Sequence, residues 1–317
     1  LGEIRLQLMG QVQQEILEQL CRDRFGMEIS FGEGSILYKE TIRNRVEGVG
    51  HYEPLRHYAE VHLLLEPGER GSGLRFESVC STDVLDLNWQ RLILTHLAEK
   101  QHLGVLTGAP VTDMKITLAA GRAHLKHTEG GDFREAAWRA VRQGLMQAES
   151  EILEPWYQVR LELPAACVGR AMTDMERMGG KLDPPITAGN EVILTGTAPV
   201  AEMGGYHREV AAYSRGEGRL LCTPAGYAPC RDRARIIAES AYDPERDTAN
   251  PAESVFCSHG AGYVVPWREV RQHMHLESTL PGETSPAPEG VQPPRRGPIL
   301  GGAALDKELQ AIYERTY

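Results

Sequence analysis

Between Gly121 and Gly131 the chain gathers His124, Lys126, His127, Thr128 and Glu129 around a single large apolar side chain, Leu125. Imidazoles, cations and a hydroxyl at this density build no core, so the segment reads as a polar loop presented to something outside the protein. A second stretch, Pro67-Gly68-Glu69-Arg70-Gly71-Ser72-Gly73, has the glycine content of a phosphate cradle. A cradle needs a helix directly behind it, whose free amides complete the anion site; none follows here, so a hairpin tip is the better reading. Cys257, His259, His273 and His275 offer the donor types of a zinc site. Their i, i+2 spacing sends neighbouring donors to opposite faces of a strand and matches no usual zinc pattern, so no metal is expected. A strand around Tyr263-Val264-Val265 and a short helix from Trp267 to His275 account for the same residues.

The elements that position these groups follow from periodicity. Met114 to Leu118 alternates as a strand leading into the polar loop. Asp132 with Glu135 three positions on reads as a capping box, which starts a helix running to Ser150 and closed by Leu153-Glu154-Pro155. Upstream, Glu3 to Met9 alternates as a strand, and Val12, Ile16 and Leu20 give a helix that ends at Phe25 with Gly26 as its cap. Met27–Phe31 and Ile36–Tyr38 read as strands, His57–Leu65 and Leu74–Val79 as the arms of the glycine-tipped hairpin, and Asp86 to about His102 as a helix.

Downstream the pattern restarts. Tyr157, Val159, Leu161 and Leu163 share one strand face, and Pro164 opens a helix carrying Met172, Met175 and Met178. A strand over Glu191–Gly196, a helix from Val200 to about Tyr213 and a strand over Arg219–Thr223 complete the order βαββαβ of a ferredoxin-like domain. From Glu277 to Gly302 prolines prevent regular structure and a disordered linker is expected; Leu305, Leu309 and Ile312 then resume helical spacing.

Bulk composition narrows the classes. The chain has 317 residues, 41% hydrophobic and 25% charged, enough for several domains with cores. Its net charge of −10 argues against a global electrostatic clamp on nucleic acid, while leaving room for a local basic tip. Six cysteines without a Cys-x-x-Cys pair read as reduced thiols of a cytoplasmic protein, and no apolar run is long enough to span a membrane.

Several segments, in order, resemble the C-terminal half of a translational GTPase of the elongation factor G and Tet(M)/Tet(O) ribosomal protection family. Met9-Gly10-Gln11-Val12-Gln13-Gln14-Glu15 and Tyr38-Lys39-Glu40-Thr41-Ile42 are similar to domain III. Gly71-Ser72-Gly73 with Phe76-Glu77-Ser78, Val111-Thr112-Asp113-Met114-Lys115, and Asp132-Phe133 with Leu153-Glu154-Pro155 are similar to domain IV. Glu191-Val192-Ile193-Leu194-Thr195-Gly196, Gly204-Gly205-Tyr206 and Ser214-Arg215-Gly216-Glu217-Gly218 are similar to domain V.

The resemblance implies an α+β chain with ferredoxin-like split βαβ domains flanking a domain IV of the ribosomal protein S5 domain 2-like fold. The implied layout is the second half of domain III over 1–42, domain IV over 43–155 and domain V over 156–245. An extension packed on domain V over 246–276, the linker over 277–302 and a further helix over 303–317 follow. It implies a monomer whose partners are the ribosome, the rRNA of the small-subunit decoding region and the large-subunit GTPase centre, with no membrane contact. The tip would be His124, Leu125, Lys126, His127, Thr128 and Glu129, with Lys126 on phosphates and the two histidines against bases. Arg70, Gly71, Ser72 and Gly73 would form a second hairpin. Where the tetracycline protection proteins carry a Ser-Pro-Val type sequence in the tip, this chain has Leu125-Lys126-His127, a departure that bears on drug displacement and not on ribosome binding. No Gly-x-x-x-x-Gly-Lys-Ser/Thr or Asn-Lys-x-Asp motif occurs, so no catalytic residue is assigned, and GTP and magnesium would belong to a separate N-terminal domain. The alternatives are a translocation factor with no resistance role, a metal-binding protein or a protein-interaction scaffold.

Overall fold

A computed structural model describes residues 6, 8, 11–32 and 34–280. The expected first strand apart from Leu6 and Leu8, most of the proline-rich linker and the helix after it lie outside these residues. In chain order the elements are α1 (Gln11–Phe25), β1 (Lys39–Ile42), β2 (Val46–Tyr52), β3 (Ala59–Pro67), β4 (Leu74–Ser78), α2 (Leu87–Glu99) and β5 (Met114–Ala123). Then come α3 (Gly130–Gln147), β6 (Ser150–Pro164), α4 (Val168–Arg177), β7 (Lys181–Leu182), β8 (Ile186–Ala188) and β9 (Glu191–Pro199). The last are α5 (Tyr206–Tyr213), β10 (Arg219–Pro229), α6 (Arg233–Ser240), β11 (Ser254–Ser258), β12 (Ala261–Val265) and the single turn α7 (Val270–His273).

The chain divides into two compact units, one of residues 1–38 with 154–229 and one of residues 39–153 with 230–317. The first has the ferredoxin-like order. Its β6 pairs with β9 and with β10, and β7 and β8 pair along β9. Val159, Leu161 and Leu163 of β6 and Val192 and Leu194 of β9 bury with Met175 of α4, Met178 at its C-cap and Tyr206 and Val210 of α5. The methionine stripe is therefore core, with Met172 turned outward. In α1, Gly26 at φ 62° takes the expected capping role, with its N–H on the Arg22 carbonyl at 3.1 Å. Residues 27–32 and 34–38 form no strand: Met27 and Leu37 stay exposed, and glycine at 26, 32 and 34 removes the side chains that would pack a sheet.

The second unit holds a sheet in the order β12-β11-β2-β3-β5-β4. Val61, Leu63, Leu65, Ile116 and Leu118 on one face of this sheet bury against Phe133, Ala136, Ala137, Ala140, Val141 and Leu145 of α3 and Ile93 and Leu97 of α2. Two glycines of β2 set the closeness of α3. A Cβ on Gly48 would stand 2.0 Å from the Ala140 carbonyl oxygen, and one on Gly50 would stand 1.9 Å from that of Ala136. Only glycine lets the helix backbone approach so near.

Four expectations change here. β3 and β4 are not hairpin arms, because β5 lies between them, antiparallel to β3 and parallel to β4. Met114, Ile116 and Leu118 of β5 are fully buried and take the place between the two strands that a hairpin would deny them. Helix α3 starts at Gly130, with Asp132 in its first turn as the residue that accepts the Glu129 N–H at 2.8 Å, and it ends at Gln147. Leu153-Glu154-Pro155 sits inside β6, whose first residues pair with β1 from Ser150↔Ile42 to Leu153↔Lys39. The segment 246–276 belongs to the second unit and not to the ferredoxin-like one. β11 pairs in parallel with β2 at Val255↔Tyr52, and Phe256, Val265 and Val270 bury against Val49, so the extension continues the second unit's sheet and covers its other face.

Candidate nucleic-acid interface

β3 and β5 pair from Ala59↔Ala123 at one end to Pro67↔Met114 at the other. The loop His124–Glu129 leaves β5 at the first end. It closes as one tight turn, the N–H groups of His127 and Thr128 both donating to the His124 carbonyl at 3.3 and 3.0 Å. Thr128 pins the turn from below: its Oγ1 accepts the His124 N–H at 2.6 Å and donates to the Tyr58 carbonyl at 2.6 Å. His124 is buried; its Nδ1 accepts the Lys126 N–H at 3.2 Å and its ring stacks on His127 at 4.6 Å. It is a post inside the turn and not a side chain offered outward. Leu125 is 77% exposed, Lys126 and Glu129 are exposed, and His127 and Thr128 are half-buried.

A second loop, Glu53–Tyr58, stands at the same end, and sequence reasoning passed over it. Its exposed residues are Leu55 and Arg56, the latter at φ 65°. His57 Nδ1 bonds Asp132 Oδ1 at 2.8 Å, which ties this loop to the first turn of α3. Pro54 between two strands signalled a turn, but nothing local said which loop it would meet. The β11–β12 hairpin joins them: pairing at Val255↔Tyr52 carries Phe256 to Ser258 past the end of β2. Its turn bears exposed His259 at φ 50°.

Arg70, Gly71, Ser72 and Gly73 lie at the other end of β5. That strand has ten residues, which separates them from the 124–129 loop by about 30 Å. They wrap Asp113, itself at φ 55°. Gly73 N–H donates to Asp113 Oδ1 at 3.1 Å, Gly68 N–H to the Asp113 carbonyl at 2.8 Å, and Arg70 reaches Asp113 and Glu151, each at 3.4 Å. Burial pushes the Asp113 carboxyl up, and the amides of Gly71 and Gly73 more than reverse this, holding it below the usual range. The stretch is a bracket around the start of β5.

Cys257, His259, His273 and His275 are likewise not brought together. Cys257 N–H donates to Glu53 at 3.3 Å, His273 lies against Tyr263 and Phe256, and His275 Nδ1 bonds the Tyr58 hydroxyl at 2.9 Å. Among the described residues no helix is long and apolar enough to cross a membrane.

Comparison with known proteins agrees with this architecture. Residues 34–149 match the model of elongation factor G domain IV, and residues 151–236 match that of the elongation factor G C-terminus. The tetracycline resistance protein TetP of Clostridium perfringens is 31% identical over 245 residues, 76% of this chain and 37% of that protein. Elongation factor G 1 of Methylococcus capsulatus is 29% identical over 233 residues, 72% of this chain and 34% of that protein. A crystal structure from Thermus thermophilus superposes with a TM-score of 0.65 at 26% identity, covering 73% of this chain and 36% of that one. The chain thus spans about a third of the length of the relatives it matches. Two adjoining segments in one order, on a sheet-and-helix unit followed by a ferredoxin-like one, place the chain in the elongation factor G family, as its domain IV and C-terminal domain.

Proposed function

We propose that this chain is the ribosome-binding portion of a translational GTPase, and that the end of its domain IV formed by Leu125, Lys126, Glu129, Leu55 and Arg56 meets structured RNA of the small subunit. The observation that carries this reading is the pinned turn at 124–129, which holds an exposed leucine and an exposed lysine on a base of buried hydrogen bonds. A probe must be stiff below and open above, and that is how this loop is made. Lys126 and Arg56 supply cations for phosphate, and Leu125 supplies an apolar surface for an unstacked base. His127, half-buried on His124, supports the turn and offers one ring edge. Arg70 to Gly73 are left out of the interface, because they are engaged with Asp113 at the far end of the strand.

GTP hydrolysis and its magnesium belong in this reading to the domain that carries the phosphate loop, and no residue described above is asked to hold them. TetP is a tetracycline resistance protein by name and two elongation factors match at similar identity. Co-sedimentation with bacterial ribosomes at low and moderate salt tests the proposal, with Lys126→Glu and Arg56→Glu as variants. Counterion release predicts binding that weakens with salt, and a smaller salt slope in each variant. Binding that is indifferent to salt and to both reversals would remove this end of the domain from the interface and favour a protein-binding scaffold.

A further inference from the structure

The face of β2 and β3 turned away from α3 carries an unbroken line of five buried ionisable side chains. Glu47 Oε1 lies 3.0 Å from His62 Nδ1, His62 Nε2 lies 3.0 Å from Glu60, His51 Nδ1 lies 2.7 Å from the other Glu60 oxygen, and His51 Nε2 lies 3.0 Å from Glu53. The register makes the line. His51 pairs with Glu60, Val49 with His62, and residues two apart on a strand share a face. Each imidazole has a carboxylate oxygen on both nitrogens. A carboxylate only accepts, so both nitrogens of both rings must carry hydrogen, and both rings are imidazolium. With Arg271 3.7 Å from Glu47, three negative and three positive charges balance.

A strap of the C-terminal extension lies over this line and bonds to its carboxylates. Glu60 accepts the N–H of His275 at 2.9 Å and of Leu276 at 2.7 Å. Glu47 accepts the Thr279 N–H at 2.8 Å and the hydroxyls of Ser278 and Thr279 at 2.5 and 2.6 Å. Phe256 stacks on His51 at 4.0 Å, and the neutral His275 ring stands 4.7 Å from it. Tyr58, whose ring stands 5.3 Å from His51, Arg122 of β5, Cys257 of β11 and Tyr263 of β12 are further ionisable groups near this line. His51, Glu60 and His275 bring possible ligand atoms within 4.8 Å of one another. A metal is not the better account, because both His51 nitrogens and both Glu60 oxygens are already in hydrogen bonds.

We propose that Val270 to Leu280 form a proton-gated strap, closed over β2 and β3 while His51 and His62 are both imidazolium and released when either loses its proton. Loss of one proton leaves a buried net negative charge and turns a ring lone pair onto a carboxylate oxygen. The carboxylate then needs water, and water enters only if the strap lifts. Burial would depress the His62 ring, but its bonds to Glu47 and Glu60 raise it to about 9, so the gate works on the alkaline side of neutrality. Release also withdraws His275 from the Tyr58 hydroxyl, beneath the carbonyl that holds Thr128. That consequence for the 124–129 loop rests on the reading of the loop as a probe; the strap itself does not.

Hydrogen exchange of the free protein from pH 6.5 to 9.5, corrected for intrinsic rate, tests the gate at the Leu276 and Thr279 amides. Their protection is expected to fall by about tenfold per pH unit, one proton leaving with each opening, while Ile116 in β5 keeps its protection. Ring nitrogen shifts at pH 7.5 should report two imidazolium rings at His51 and His62. Neutral rings at that pH, strap protection that does not change with pH, or a melting temperature lowered by a chelator would each overturn the proposal. The double variant His51→Gln with His62→Gln should lose the pH dependence; the ring shifts decide the matter even if that variant does not fold. Ribosome co-sedimentation at pH 7 and 8.5 separates the two readings. A strap that opens without change in binding upholds the gate and removes the link from His275 and Tyr58 to the loop, while the salt slopes of Lys126→Glu and Arg56→Glu decide the probe.

Discussion

Gly50→Ala tests whether α3 sits where the glycines of β2 allow it. The added Cβ would lie 1.9 Å from the Ala136 carbonyl oxygen and 2.5 Å from the Ala140 nitrogen, both backbone atoms that cannot rotate away. A carbon and an oxygen in contact stand at about 3.2 Å or more, so α3 must retreat by roughly 1.3 Å along its middle turns. A radial gap of that size forfeits about half of the dispersion energy of the side chains lining it, here Phe133, Ala137 and Val141 against the sheet. Overpacking of this kind costs about 1–3 kcal/mol, and with a rigid helix as the obstacle the upper end is expected, about 3 kcal/mol. For a unit of this size that lowers the melting temperature by about 6–12 °C. Gly131→Ala is the control: nothing lies within 4 Å of its Cβ, its φ is not positive, and it stands in the first turn of α3, so a gain of about 0.5 kcal/mol is expected. Urea unfolding of both variants measures this. A Gly50→Ala midpoint indistinguishable from the parent, or a loss no larger than that of a surface alanine, would show that the close approach is not required by the packing.

Thr128→Val removes the hydroxyl that joins the His124 N–H to the Tyr58 carbonyl, and should cost about 1–3 kcal/mol in thermal unfolding while raising exchange at the 124–129 amides. Asp113→Ala leaves the Gly73 N–H without its acceptor and should destabilise by about 1–2 kcal/mol, whereas Arg70→Ala, which loses only half-exposed ion pairs, should cost less than about 1 kcal/mol. On the acid side, burial depresses His275, with the His51 charge adding to it, to about 4; a group held below its ordinary value of 6.5 gives stability that is present above that value and lost as pH falls toward 4. Burial raises Glu47, but His62, Ser278 and Thr279 bring it to about 2, so its share is present above 4.5 and lost toward 2. Urea midpoints at pH 7, 5 and 3 should therefore fall in two stages, and His275→Phe should remove the first.

The ferredoxin-like unit was nearly complete in the sequence, because each of its strands carries its own alternation and each helix its own stop: Gly179 after α4, and the buried pair Val159 and Leu161 that points at Met175. Domain IV was legible in its elements and not in its sheet order. The alternation of β3 and β4 is the same whether they pair with each other or with β5, so pairing across forty residues left no local trace. The place of the extension is hidden in the sequence for a related reason. Glu47, His51, Glu60 and His62 have the types of a solvated strand face, and only the strap that lies over them reveals that the face is interior. The tip loop was found from its composition, yet composition could not tell His124, turned inward, from Lys126, turned outward.

The second unit is discontinuous, and this bears on the order of its assembly. Residues 154–229 fold as part of another body between its two halves, and the contacts that finish it join Val255 to Tyr52, His275 to Tyr58 and Thr279 to Glu47. Each of these closes a loop of about two hundred residues, the kind of contact that forms late. On a ribosome still making the chain, β2 and β3 would thus stand for some time as a sheet with an open edge and a hydrated row of carboxylates and imidazoles. The charges that lock the finished unit also keep that unfinished edge from pairing with its neighbours, since a strand studded with ionised groups is a poor template for aggregation. The same residues serve as guards while the chain is being made and as the lock once it is complete.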